Sequence, residues 1–141
     1  MTPATSAGQI RRIVTELYQA WSLHEPERID TIFTEDGVYE DVAGGQTVRG
    51  REAIKQLLRG AYAWAPDFRV TMKSLVVADD SAATEWISEG IQTGRIGDLP
   101  ASGNSFRLSG ASILTFRDGK IAKVTDYYDM ATFLRQLGGA D

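Results

Sequence analysis

Hydrophobic positions in the first part of the chain recur every three or four residues, whereas later ones recur every second residue. Ile10, Ile13, Val14, Leu17, Tyr18 and Trp21 share one helical face, and Ser6 with Gln9 has capping-box spacing ahead of them. This predicts a first helix, broken at His24-Glu25-Pro26. Pro26 suits the first turn of a second short helix carrying Ile29, Ile32 and Phe33. Asp36-Gly37 then predicts a turn into a short strand, Val38-Tyr39-Glu40-Asp41-Val42. Gly44-Gly45 and Gly50 bracket an expected loop. A third helix follows, with Ile54, Leu57, Leu58, Ala61 and Tyr62 on its apolar face and Pro66 closing it.

From Phe68 the period is two. Phe68, Val70 and Met72 alternate, then Leu75 and Val77, and Asp79-Asp80-Ser81 reads as a turn. A second strand is expected over 82–92, and the glycine- and proline-rich segment 94–104 as a loop, either a lid or a long hairpin connection. A strand over 105–116 meets the Asp118-Gly119 hairpin signal, and a last strand over 121–128 leads into a short helix with Met130, Phe133, Leu134 and Leu137. Asp129 is placed to cap that helix at its start and Gly138 at its end. Helices gathered at the front of adjacent antiparallel hairpins define an α+β fold, with helices covering one face of a curved sheet.

Composition narrows the chemistry. At 141 residues, 43% hydrophobic and 24% charged, the chain is expected to form one domain over 1–141. A net charge of −4 opposes binding to nucleic acid or an anionic membrane. The absence of cysteine removes disulfides, thiol nucleophiles and thiolate metal sites, and the single histidine, His24, cannot build a histidine-based metal centre within one chain. His24 is expected to be solvated. No basic-then-apolar leader and no apolar run of roughly 20 residues is visible, so a cytoplasmic location is the expectation.

The carboxylates are the informative residues. Residues two apart on a strand share a face, so Tyr39 points with Asp41, and Val124 with Asp126 and Tyr128. Phe106, Leu108, Gly110, Ser112 and Leu114 form another common face, apolar enough to point inward, with Gly110 and Ser112 expected to leave room for a cavity. Val124 likewise turns Asp126 inward. Thr84, Trp86 and Ser88 share one side of their strand, and Glu40, Glu85 and Glu89 fall on outer faces.

The C-terminal stretch "DLPASGNSFRLSGASILTFRDGKIAKVTDYYDMATFLRQLG", with "IFTEDGVYEDVAGGQTVRGREAI" before it, resembles SnoaL-like polyketide cyclases and the wider nuclear transport factor 2-like superfamily. The resemblance implies a cone-shaped α+β barrel, a strongly curved, mostly antiparallel sheet wrapped around N-terminal helices, with a deep apolar pocket and frequent homodimers through the outer sheet face. "VYEDV" is similar to the ketosteroid isomerase segment that holds the general base, which would make Asp41 that base. Tyr18 resembles its oxyanion-hole tyrosine, and Ser112 falls where its protonated aspartate would be. "DYYD" is similar to the limonene epoxide hydrolase motif, giving Asp126 the water-activating role and Tyr39 the water-positioning one, with Asp41 in place of an asparagine. Trp86 and Ser88 fall at that family's arginine and second aspartate.

The expected function is a cofactor-independent acid–base isomerase or cyclase acting on a small apolar oxygenated molecule. Asp41 and Asp126, with pKa values split by repulsion and desolvation, form the proton-handling pair, and Tyr18 and Tyr39 are expected to donate to developing negative charge. Tyr39, Trp86, Ser88, Leu108, Ser112 and Tyr128 are expected to contact substrate. The alternatives are an epoxide hydrolase in which Asp126 activates water, and a non-catalytic small-molecule-binding or dimerisation module.

Overall fold

The computed structural model describes residues 5–138. Helix α1 (Ala7–Ser22) starts on the expected capping box: the Gln9 amide donates to Ser6 Oγ (3.2 Å) and the Ser6 amide to Gln9 Oε1 (2.8 Å). Its apolar stripe is buried from Ile10 to Trp21. A 3-10 turn (Pro26–Arg28) and the one-turn helix α2 (Ile29–Ile32) lead directly into strand β1 (Phe33–Asp41). Asp36-Gly37 is therefore not a turn. It sits where the β1 register shifts, and a Cβ on Gly37 would come within 2.9 Å of the Phe33 ring. Phe33, expected on the helix, opens the strand instead. The segment expected as a loop contains a short edge strand, β2 (Gln46–Arg49).

Helix α3 (Arg51–Trp64) precedes four long strands: β3 (Arg69–Ala78), β4 (Ser81–Ile91), β5 (Ser105–Arg117) and β6 (Lys120–Tyr128). Asp118 (φ 55°) and Gly119 (φ 77°) both occupy the left-handed region that a tight two-residue hairpin demands. Helix α4 (Met130–Gln136) ends at Gly138, whose φ of 79° fits a C-terminal glycine cap. One six-stranded sheet results, in the order β2-β1-β6-β5-β4-β3. All its pairings are antiparallel except β1 with β6.

The sheet curves but does not close, because β2 and β3 are both edges. Helix α1 lies along the β3 edge, where Ser22 Oγ donates to the Val70 carbonyl and accepts from the Val70 amide, each at 2.9 Å. His24, expected to be solvated, is half-buried: it donates from Nε2 to the Phe68 carbonyl (2.8 Å) and stacks on Tyr62 at 3.9 Å. Burial alternates along β4 and β5, putting Thr84, Trp86, Ser88, Phe106, Leu108, Ser112 and Leu114 on the inner face as the period of two requires. Glu40, Glu85 and Glu89 lie outside, bonded to Lys123, Ser74, and Arg69 with Arg107.

Candidate active site

Helices α1, α3 and α4, the inner sheet face and the loop 94–104 surround a cavity of about 610 Å³. Aromatic side chains dominate its wall: Tyr18, Trp21, Tyr39, Trp64, Phe68, Trp86, Phe106, Tyr128 and Phe133. Such a wall accepts an apolar molecule, and the few polar groups among it fix orientation.

Strand register brings those polar groups together. Asp41 pairs with Asp126 across the parallel β1–β6 ladder, Asp126 with Ser112 across β6–β5, and Ser112 with Thr84 across β5–β4. These four residues, drawn from four strands, form one polar row across the inner face. Tyr128, Gly110 and Trp86 form the adjacent row, toward the loop end of the strands. Neighbouring strands lie about 4.8 Å apart, so the two carboxylates share one small volume.

Asp126 receives a donor on each oxygen: Tyr39 OH on Oδ2 (2.7 Å) and Ser112 Oγ on Oδ1 (2.5 Å). Trp86 Nε1 donates to Ser112 Oγ (2.8 Å). An indole N–H only donates, so Ser112 accepts it and keeps its own proton for Asp126. The chain Trp86–Ser112–Asp126 thus has one polarity. Burial pushes the Asp126 carboxyl up to about 6. The two hydroxyl bonds oppose that rise, and the charge of Asp41 adds to it.

Asp41 is half-buried and is held by Tyr128 OH on Oδ2 (2.8 Å) and by the Gly44 amide on Oδ1 (2.9 Å). A Cβ at position 44 would stand 2.6 Å from Oδ2, so only glycine lets the amide approach. Burial holds the Tyr18, Tyr39 and Tyr128 hydroxyls above the ordinary phenol value, with nearby aspartate charge acting the same way. All three therefore stay protonated donors at neutral pH.

The structure brings Tyr18, Tyr39, Asp41, Trp86, Ser88, Leu108, Asp126 and Tyr128 to the cavity wall. Ser112, expected to contact substrate, lies instead beneath Asp126 at 1% exposure. Gly110 leaves no room for ligand either: the Trp86 ring fills that space, 2.2 Å from where a Cβ would stand. Tyr39, expected to face developing charge, is engaged with Asp126. Asp129 stands apart and caps α4, accepting the Thr132 amide at 3.1 Å. Sequence reasoning missed Gly44, although an aspartate followed three residues later by glycine is a local signal for such a turn. It also missed Trp21 and Phe68, which their helical and strand spacing marked only as core, and Trp64, which the apolar face read for its helix does not include.

Fold and site together define a small α+β pocket protein of the ketosteroid isomerase-like type. A protein with a ketosteroid isomerase-like fold from Catenulispora acidiphila, solved in complex with trimethylamine, is 30% identical and superimposes with a TM-score of 0.81 over 91% of this chain and 93% of its own. TsrD from Streptomyces laurentii is 25% identical, with a TM-score of 0.86 over 96% of this chain and 98% of its own. IdmH from Streptomyces antibioticus, a candidate polyketide cyclase, is 25% identical, with a TM-score of 0.78 over 91% and 97%. The family model for SnoaL-like polyketide cyclases matches residues 11–137, and the chain belongs to that family. No curated protein matches the chain. Among the described residues, no helix is long and apolar enough to cross a membrane.

Proposed function

We propose that this protein is a cofactor-independent isomerase or cyclase that moves protons on a small, largely apolar, oxygenated substrate. The family match over 11–137 supports reading 1–141 as a single catalytic domain. The observation that carries the proposal is Asp126: a carboxylate on the wall of an aromatic cavity, raised to about 6 by burial and held in one orientation by Tyr39 and Ser112. A base with that pKa is ionised near neutral pH yet binds a proton well once it has one.

In this reading the ionised Asp126 removes a proton from the carbon next to a carbonyl. The electron pair moves into an enolate, whose oxygen receives a hydrogen bond from Tyr18. The enolate carbon then takes a proton back at a new position, or attacks a second carbonyl and closes a ring. Asp41, on the neighbouring strand, relays the proton. Tyr39 and Ser112 orient the base, and Trp86 and Leu108 shape the apolar site around the reacting carbons.

Proton exchange into deuterated water, followed by NMR on a panel of cyclic enones and β-diketones, tests this. The Asp126→Asn variant is expected to lose at least about 100-fold in exchange rate while keeping ligand affinity, as removal of a general base requires. Unchanged exchange in that variant sinks the proposal and leaves a binding module. The epoxide-hydrolase alternative has Asp126 activate water and predicts heavy oxygen from labelled water in a diol product. Trp86 and Ser88, where that relay needs an arginine and an acid, count against it. A homodimer through the outer sheet face belongs to the same reading, since Val76, Ile113 and Tyr127 are 65%, 46% and 48% exposed there.

A further inference from the structure

The cavity lining holds a cation as well as its two acids. Arg95, on the loop 94–104, is the one cation in its lining among the described residues, while both lining carboxylates belong to the Asp41–Asp126 row. The row crosses β5 at Ser112 and the loop joins β5 at Ser105, roughly 23 Å away along the strand at about 3.3 Å per residue. Arg95 is exposed, and among the described residues no carboxylate lies within ion-pair distance of it. Arg69, Arg107 and Arg117 on the outside of the molecule are each paired with an acid.

The loop that carries Arg95 is built in place. Gln92 is wholly buried, and its carboxamide donates to the Gly94 and Pro100 carbonyls (3.0 and 3.1 Å) while accepting from the Ser102 amide and hydroxyl (3.2 and 2.7 Å). Thr93 and Gly94 amides donate to the Trp64 carbonyl at the end of α3. A Cβ on Gly94 would meet the Ala63 carbonyl at 2.5 Å, so the backbone approach there is as close as glycine permits. On the other side Ile96 and Leu99 exchange backbone hydrogen bonds and pack against the cluster containing Phe106 and Phe133. The backbone at Arg95 is thereby held between two anchors, and the exposed Arg95 lines the cavity.

We propose that Arg95 binds a carboxylate at the trailing end of the substrate. The inference rests on the cavity being the substrate site proposed above and names the substrate class: an elongated apolar acid that enters with its reactive carbonyl first. A guanidinium offers a carboxylate two parallel N–H donors, a match that neutral oxygen groups do not reproduce. Asp41 and Asp126 repel an anion at the other end, so charge alone selects the orientation. Because Arg95 is exposed, the pair is partly screened, and the preference falls as salt rises.

Binding of 6-(2-naphthyl)hexanoic acid and of its primary amide, measured by calorimetry at neutral pH and low salt, tests the proposal. Wild type is expected to bind the acid about tenfold more tightly than the amide, the size of one charge-assisted contact at a wet site. Arg95→Gln is expected to bring the ratio near one without changing amide affinity, and Arg95→Lys to retain part of it. A wild-type ratio near one, equal weakening of both probes in Arg95→Gln, or no saturable binding of either probe overturns the proposal. A ratio near one in wild type leaves the proton-exchange result for Asp126 standing. Unchanged exchange in Asp126→Asn removes the catalytic reading and leaves the ratio standing.

Discussion

Replacing Asp126 by asparagine isolates an ionisation free energy, because the two side chains have nearly the same volume and only one of them titrates. Burial raises the Asp126 carboxyl from 3.8 to about 6 against the pull of two hydroxyl bonds. Each such bond favours the ionised form by about 1.5–3 kcal/mol, whereas burying a carboxylate costs several kcal/mol, so burial wins by a modest margin. Between pH about 4 and about 6 the native state keeps a proton that the unfolded chain releases. Stability therefore falls as pH rises through that window, by about 1.4 kcal/mol per unit and about 3 kcal/mol in all. The asparagine variant lacks this loss. Any mismatch between its amide and the two hydroxyls is a constant offset, which a pH series separates from the ionisation effect. Urea unfolding of both proteins from pH 4 to pH 8 is the assay. The stability of the variant relative to wild type is expected to rise by about 3 kcal/mol between pH 4 and pH 7 and then level off, equivalent to about 10 °C in melting temperature for a domain of this size. A pH-independent difference, or a relative gain by wild type as pH rises from 4 to 6, would show that the hydroxyl donors outweigh burial and refute the reasoning.

Two further substitutions address the groups that hold the acids. Ser112→Ala removes one of the opposing donors and is expected to raise the Asp126 carboxyl from about 6 by about 1–2 units, read by carbon NMR titration of the side chain; no upward movement would mean that the serine proton is not committed to Asp126. Gly44→Ala puts a methyl group 2.6 Å from Asp41 Oδ2 and is expected to displace that carboxylate, lowering the proton-exchange rate about tenfold at a stability cost of about 1–3 kcal/mol; an exchange rate equal to wild type would separate Asp41 from the chemistry.

Most of the fold was legible because its elements obey strong local rules. The α1 capping box, the Asp118-Gly119 hairpin, the Asp129 cap and the alternation in β4 and β5 all survive in the structure. The failures have local causes too. Asp36-Gly37 carries the strongest turn signal in its region, yet it accommodates a register shift under the Phe33 ring. The strand β2 has no apolar period, because an edge strand of four residues with at most partial burial needs none. At His24 the sequence does not reveal that Tyr62 and the Phe68 carbonyl converge on the turn and half-bury the ring.

The site was legible in its acids but not in their partners, and the reason is topological. A period of two reveals which side chains point inward on one strand. Which strands lie side by side is a separate matter, and the decisive pairing here is the parallel one between β1 and β6. Once those strands adjoin, Tyr39 reaches Asp126 and Tyr128 reaches Asp41, each across 87 positions of chain. The stretch Asp126-Tyr127-Tyr128-Asp129 shows the consequence. Asp126 and Tyr128 face inward and enter two different carboxylate clusters, Tyr127 lies half-exposed on the outer face, and Asp129 caps α4. Alternation separates the inner from the outer residues of this stretch. Only the sheet order assigns each tyrosine its carboxylate, and in each pair the tyrosine and the aspartate sit on different strands. A change that shifts the β1–β6 register by one residue would therefore break both Tyr–Asp bonds together, even with all four residues intact.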